Sequence, residues 1–473
     1  MNRLASLILI TALWAAIYLP WLGTPELRSE EGHRVLPAVE MLDRGDYLVP
    51  RIGGAPYLRK PPLINWIIAG AFQLTDTRNE WTARLPSAIA VLIVAVIFVA
   101  LGARSFGLRT SRFAALAWLT SYGIIEKGRM IEIDAIYVSL FALAFISWLT
   151  LWHQRRSPWL VWTVPWIFLG LGMLAKGPAH LLFFYACVVA ILCQTKRLRE
   201  LTHPAHFIGL ACMLAIFAAW AIPAFFAVSH GNISRTWWRE LAMRVTGGEN
   251  DATYWPMNFP RGVGYFLPWI LLLPFVRVSQ IEDSSRQTIA RALRWGALVP
   301  FVFVLLLPGT IPRYVLPTIV PAAWLLAIAL NDGVLVWNLR IRSRVIPIPS
   351  KAIQALVLLL TAAAAIAFPI RSATFLKHHP KVKIIAAKVN AALPHGETLY
   401  AVNPLFQPYL FYIRERVRYV DAFDQLPADA RYFITLPTER AAVESSARWA
   451  PRRPRLILET PEYRGHQTLL FER

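Results

Sequence analysis

The chain has 473 residues, 56% of them hydrophobic and only 16% charged, with a mean hydropathy of +0.45. This balance excludes an ordinary water-soluble enzyme and fits a protein that crosses a membrane many times. The formal charge of +21 would suit a nucleic-acid binder, but the cations sit in short stretches between long apolar runs. The charge therefore reads as membrane topology with attraction to membrane lipid, and no nucleic-acid partner is expected.

Eleven apolar stretches can cross a hydrocarbon layer of about 30 Å, near 5 to 23, 83 to 103, 111 to 126, 133 to 152, 158 to 174, 178 to 194, 207 to 228, 262 to 278, 291 to 308, 313 to 331 and 352 to 370. The first has the charged start and apolar body of a signal peptide, but no small-residue cleavage site follows, so it reads as a retained span. With a cytoplasmic amino terminus, the inside loops carry Arg104, Arg109 and Arg112, then Arg155 and Arg156, then Lys196, Arg197 and Arg199. The next two carry Arg286, Arg291 and Arg294, then Arg340, Arg342, Arg344 and Lys351. Every inside loop is then basic, the positive-inside pattern expected in a bacterial-type inner (plasma) membrane. Residues 24 to 82, the turns near 127 to 132, 175 to 178 and 309 to 312, the loop 229 to 261 and the tail from 371 fall outside. Cys187, Cys193 and Cys212 lie in apolar runs and offer neither a CxxC nor a zinc spacing.

The outer segments hold polar residues that spanning does not explain. Directly after the first span, ELRSEEGHR gathers Glu30, Glu31, His33 and Arg34. Adjacent carboxylates beside a histidine and an arginine suit a general base, although a solvated charged edge would read alike. PAVEMLDRGDYLV and PPLINWIIAGAFQLT follow as amphipathic segments suited to helices in the membrane interface. Between them, PYLRKPPLINW sets Arg59 and Lys60 before a double proline that stiffens the chain and starts a helix. That pair is either a basic interfacial anchor or a phosphate clamp.

EKGRMIEIDAIYVSL places Glu132 and Asp134 at the start of a span. An ionisable residue there is costly and marks function, unless it pairs with Arg129 or caps its helix. GLGMLAKGPAHLL breaks between two spans with Lys176 at its centre, suited to a lipid phosphate or a diphosphate. The long outer loop contains SRTWWRELAMRVTGGENDATYW, which interleaves aromatic residues with Arg235, Arg239, Glu240 and Arg244. Such a mixture fits sugar stacking and anion binding, or an interfacial aromatic belt. GTIPRYVLPTIVP repeats the short-turn design with Arg313 and Tyr314 at the start of a span, where Arg313 binds an anion or snorkels to the interface.

From 371 onward, strand-like TLYAV, RYFITL and RLILE alternate with helical KIIAAKVNAAL and TERAAVESSARWA, the pattern of a small α/β domain. No short repeat, phosphate loop, nucleophile elbow, HExxH or clustered metal-ligand pattern occurs.

Taken in order, SEEGHRVLPAVEMLDRGDYLVPRIGGAPYLRKPPLINW, NEWTARLPSA, the Asp134 segment, AKGP and PRYVLP resemble the aminoarabinose transferase and protein mannosyltransferase group of GT-C membrane glycosyltransferases. The resemblance covers roughly residues 5 to 331. It implies an α-helical polytopic GT-C domain over residues 1–370, with a first outer loop at 24–82, and a small extracytoplasmic α/β domain over 371–473. It also implies an enzyme that moves a sugar from a polyprenyl-phosphate carrier to a lipid, glycan or protein acceptor on the outer side of the membrane. By position, the family's acidic pair corresponds to Glu30 and Glu31, and the lysine of its Lys-Pro-Pro motif to Lys60, which would hold the carrier phosphate. Arg59, Lys176 and Arg313 would assist Lys60, with His33, Arg34, Asp134, Tyr314 and Glu240 in support.

The resemblance implies no certain cofactor and leaves a divalent metal open. Glu30 stands where the family usually has Asp, and Arg59 where the aminoarabinose enzymes often carry an acid. No histidine occurs at 245 to 256, and the sugar and acceptor stay open. The rival class is a polytopic transporter or flippase of a lipid-linked or anionic substrate. Transport sites lie near the bilayer midplane, whereas the charged residues here gather at one face.

Overall fold

The computed structural model describes residues 2–228, 232–247, 255–336, 338–341, 344–347, 352–353, 355–356, 359–363, 366–367, 370, 381–446, 449, 453–463 and 467–473. In chain order the helices begin with α1 (Arg3–Tyr18), α2 (Gly32–Arg44), α3 (Leu63–Thr75), α4 (Glu80–Phe106), α5 (Leu108–Thr120) and α6 (Tyr122–Gly128). They continue with α7 (Ile133–His153), α8 (Pro158–Ala175), α9 (His180–Gln194), α10 (Pro204–Ala227), α11 (Asn232–Thr246) and α12 (Asn258–Gly264). The last are α13 (Ser284–Leu306), α14 (Ile319–Asn331), α15 (Val382–Ala392) and α16 (Arg440–Ser445).

Two compact units result. Over its described residues, the membrane unit comprises Met1–Leu22, Arg59–Leu63 and Arg84–Ile370. The loop–tail unit comprises Gly23–Leu58, Ile64–Ala83 and the described part of Arg371–Arg473.

Six described helical runs are long and apolar enough to cross a membrane: α4, α7, α8, α10, α13 and Pro312–Asn331, which ends in α14. The protein is therefore a multi-pass membrane protein. Helix α7 is apolar all round and buried at nearly every position, whereas α10 turns Phe207, Leu214, Ile222 and Phe226 outward. That contrast separates a central helix from a lipid-facing one. Helices α8 and α10 approach closely at Gly209, where an added Cβ would lie 2.1 Å from the Trp162 carbonyl oxygen. Small residues at such crossings let backbones pack without a hydrophobic drive from water.

The eleven expected spans are not all matched. Helices α1 and α9 are apolar but shorter than a full crossing. The stretch 111 to 126 is two helices, α5 and α6, which meet at Ser121, where a ψ of 129° leaves the helical region. The stretch 262 to 278 is not a continuous helix. Pro268 and Pro274 remove amide donors, and the chain runs through the short 3-10 turns Trp269–Leu271, Leu273–Phe275 and Val278–Gln280. These two irregularities complete each other. The amides of Tyr122 and Gly123, at the start of α6, donate to the carbonyls of Leu267 and Tyr265 at 2.8 Å each. Non-helical backbone persists inside a membrane protein when its polar groups are satisfied in this way. The expected span at 352 to 370 lies largely outside the described residues.

In the loop–tail unit, β1 (Arg51–Ile52) and β2 (Ala55–Pro56) form a short hairpin after α2. The membrane unit carries a second hairpin, β3 (Asn338–Ile341) with β4 (Arg344–Pro347). The tail folds as β5 (Leu399–Val402), β6 (Val417–Val420), β7 (Tyr432–Thr435), β8 (Arg455–Glu459) and β9 (Leu469–Glu472), in the sheet order β6-β5-β7-β9-β8. The first three strands are parallel to one another, while β9 is antiparallel to both β7 and β8. The expected small α/β domain is present.

The two amphipathic segments read from the sequence form helices α2 and α3. The apolar face of α2 is buried on protein: Leu36 shares one core with Ile52 of β1, Val382, Ile385 and Val389 of α15, and Leu399 of β5. Glu26 ties the loop to the tail again, its two carboxylate oxygens accepting the amides of Lys381 and Lys383 at 2.8 and 2.9 Å at the start of α15. The bonds satisfy amides that a helix N-terminus leaves without intrahelical partners.

Candidate active site

The loop–tail unit contains the acidic pair, and the structure treats its two members differently. Glu31 is fully buried, and its carboxylate accepts the amide of Arg28 at 2.9 Å, closing the 3-10 turn Ser29–Glu31 that leads into α2. Glu30 keeps a side chain that is 37% exposed. Its Oε2 lies 3.7 Å from His33 Nδ1 and 3.6 Å from Arg34 Nη2, one helical turn along. Arg34 also donates to the Tyr57 hydroxyl at 3.3 Å, and its main-chain oxygen accepts from Asn65 at 2.8 Å. The helical spacing at 30, 33 and 34 puts carboxylate, imidazole and guanidinium on one face.

The membrane unit contains two further groups. At the Lys-Pro-Pro corner, Glu240 of α11 bridges both cations, with Arg59 Nη2 at 2.8 Å and Lys60 Nζ at 3.1 Å. Burial alone would raise the Glu240 carboxyl, but Lys60 and Arg59 outweigh it and hold it below the usual glutamate range.

The second group forms where several helix ends meet. Asp134, in the first turn of α7, pairs with Lys176, the residue that ends α8, and lies 3.3 Å from Arg313 Nε. Glu132, just before α7, lies 3.5 Å from Arg313 Nη1 and 3.0 Å from Lys127 Nζ at the end of α6. The Lys176 ammonium sits 4.4 Å over the Tyr314 ring and 5.3 Å over that of Tyr137. Both carboxylates are buried, while Lys176 and Arg313 keep partial exposure. An acid at a helix N-terminus and a cation at a C-terminus also complement the helix dipoles, so the cluster has a structural use independent of any ligand. Behind it, His180 contacts the Gly177 and Leu169 carbonyl oxygens at 2.9 Å each and the Tyr137 hydroxyl at 3.2 Å, joining α7, α8 and α9.

A sequence profile described as dolichyl-phosphate-mannose-protein mannosyltransferase matches residues 59–222. The chain is 29% identical over 304 residues to an undecaprenyl phosphate-alpha-4-amino-4-deoxy-L-arabinose arabinosyl transferase of Pseudomonas savastanoi pv. phaseolicola, covering 62% of this chain and 55% of that protein. It is 25% identical over 342 residues to a Pseudomonas fluorescens transferase of the same description, covering 70% of this chain and 61% of that protein. The chain thus spans little more than half the length of these curated relatives. It superposes on crystallised ArnT from Cupriavidus metallidurans bound to undecaprenyl phosphate with a TM-score of 0.72 at 18% identity, over 99% of this chain and 97% of that one. The chain has the ArnT fold. Against the apo state of the same ArnT the TM-score is 0.68 at 17% identity. The GT-C fold class expected from the motifs is borne out.

Within that fold, the residues singled out by sequence fall into three groups: Glu30 with His33 and Arg34, Arg59 and Lys60 with Glu240, and Asp134 with Lys176, Arg313 and Tyr314. The Glu31 carboxylate accepts the Arg28 amide of its own turn. Lys127 and Tyr137 were not singled out from the sequence, although EKGR two residues before Glu132 was a usable signal. Nor was Phe406, whose ring stacks on His33 at 3.8 Å, because no local pattern links the two positions.

Proposed function

We propose that the protein is a membrane glycosyltransferase that moves a sugar from an undecaprenyl-phosphate-type carrier to a lipid, glycan or protein acceptor on the outer side of the membrane. The end-to-end likeness to the ArnT fold carries this reading. The relatives' descriptions make 4-amino-4-deoxy-L-arabinose the first sugar to try. The basic loops Arg104 to Arg112, Arg155 to Arg156 and Lys196 to Arg199 support a cytoplasmic side opposite the active face.

In this reading the acceptor hydroxyl oxygen attacks the anomeric carbon, the bond to the carrier phosphate breaks, and the hydroxyl proton passes to Glu30. Displacement of this kind inverts the anomeric centre. Lys60 neutralises the departing phosphate, aided by Arg59, with Lys176 and Arg313 in support, because fixed cations stabilise the charge that develops as the bond breaks. Asp134 and Glu132 hold Lys176 and Arg313 at their positions, and Glu240 holds Arg59 and Lys60. Among the described residues no three His, Cys, Asp or Glu side chains converge as a metal site. The cations and acids of the second cluster lie at the ends of α6, α7 and α8 and at the turn before α14, which favours chemistry at a membrane face over transport through the midplane.

The test compares Glu30→Gln and Lys60→Ala in detergent-purified protein and in a deletion strain. Glu30→Gln is expected to lower transfer by about 10²- to 10⁴-fold while binding of undecaprenyl phosphate is kept. Lys60→Ala is expected to weaken that binding directly. Full transfer by Glu30→Gln together with unchanged binding by Lys60→Ala would overturn the assignment.

A further inference from the structure

His33 packs against the tail. Its imidazole lies flat on the Phe406 ring, with centroids 3.8 Å apart and planes 8° from parallel, and the Tyr57 ring closes in at 5.7 Å. Room for this stack comes from Gly32, where an added Cβ would come within 2.8 Å of the Phe406 ring. Phe406 is itself fixed. Its neighbour Leu405 and nearby Asn403 adopt left-handed backbone, with φ of 55° and 38°, which turns the chain sharply out of β5. The Asn403 amide donates to the Val420 carbonyl of β6 at 2.8 Å, and Gln407 is buried on the other side. The following turn is pinned by Tyr412, whose hydroxyl accepts the Leu27 amide at 2.7 Å and donates to Glu80 at 3.1 Å.

We infer that Phe406 is a positioning residue for Glu30, acting through His33: the tail supplies the aromatic surface that orients the imidazole beside the Glu30 carboxylate. The inference rests on the reading of Glu30 as the reacting carboxylate. Glu30 is partly exposed and has a mobile three-torsion side chain, so its direction depends on its two polar neighbours. Arg34 is held by Tyr57, and His33 by Phe406. An imidazole free to rotate would leave the carboxylate with one fixed neighbour. Small misplacements of a reacting group lower the rate without abolishing binding. The tail therefore contributes to the chemistry from a segment far along the chain from the first loop.

Two substitutions separate positioning from packing. Phe406→Leu keeps apolar bulk but loses the flat ring, and Phe406→Tyr keeps the ring. Each is made in the full chain and scored by restoration of the envelope glycan lost from a deletion strain, by binding of undecaprenyl phosphate to purified protein, and by melting temperature. Phe406→Leu is expected to lower transfer about tenfold or more with melting and undecaprenyl phosphate binding unchanged, and Phe406→Tyr to restore it. In a His33→Ala background, Phe406→Leu is expected to add nothing. Parental transfer by Phe406→Leu, or a loss that persists undiminished in the His33→Ala background, would overturn the inference. Glu30→Gln keeps the two readings apart: if it is inactive while Phe406→Leu is fully active, only the positioning role fails, and if it is fully active, the reading of Glu30 fails with it.

Discussion

Glu30 and Glu31 are neighbours in sequence with different fates, because successive residues entering a helix point in different directions. Glu31 closes the turn into α2, so Glu31→Ala removes the acceptor of the Arg28 amide in a buried setting. That change is expected to cost about 1–3 kcal/mol of stability, seen as a lower melting temperature in detergent, whereas Glu30→Gln leaves melting unchanged. Asp134 poses a different case, since its carboxylate faces both Lys176 and Arg313 from a buried position. Asp134→Asn removes the carboxylate that pairs with Lys176, while Arg313 keeps Glu132 at 3.5 Å, and is expected to destabilise the membrane unit by about 3 kcal/mol. Replacing Asp134 and Lys176 together with Leu and Met should recover part of that loss in thermal unfolding, because both members of that pair are then removed while Arg313 keeps Glu132.

At the scale of elements, α2 organises the loop–tail unit through a buried acid as well as its apolar face. Glu40 accepts the amides of Gly53 and Gly54 at 2.6 and 3.0 Å, so it holds the turn of the β1–β2 hairpin, and Arg44 lies 3.7 Å away. The left-handed φ of 62° at Gly53 and 86° at Gly54 lets both amides face that carboxylate. Burial pushes the Glu40 carboxyl up from 4.5 to about 7, with the two amides and Arg44 offsetting it only in part. The native state therefore binds this proton more tightly than the unfolded chain. Stability from this group is fully present below pH 4.5 and is lost as pH rises to about 7, a change of up to roughly 3 kcal/mol. Melting temperature measured from pH 4 upward should show that decline in the parent protein, and Glu40→Gln should remove it.

Spans were legible at this scale because the membrane demands long apolar runs, and the stretches near 83, 133, 158, 207, 291 and 313 became full-length helical runs. The stretch at 262 to 278 misled because apolar composition does not distinguish a helix from a turn-rich segment whose backbone is satisfied by a neighbour. Its prolines were the signal against a helix.

For the whole molecule, the tail is part of the fold of the first loop. Leu36 and Ile52 of the loop share a core with Ile385 and Leu399 of the tail. Deleting residues 381–473 should therefore expose the apolar face of α2 and leave Glu26 and Tyr57 without their setting. The truncated chain is expected to aggregate or lose transfer in full, read by size-exclusion chromatography in detergent and by the deletion-strain assay. A tail that only covered the site would leave a monodisperse, partly active protein.

The sequence by itself determined the membrane class, the polar residues that no span required and the GT-C resemblance, because apolar run length, loop charge and short motifs are local properties of the chain. It also marks ELRSEEGHR and the Lys-Pro-Pro corner as concentrations of charge that no span requires. Only the tertiary structure separated Glu30 from Glu31, paired Lys176 and Arg313 with Asp134, and set Phe406 against His33. Those facts depend on which side chains meet after distant segments pack, and burial and pairing, not residue type, decide whether a carboxylate caps a turn, holds a cation or stays partly exposed.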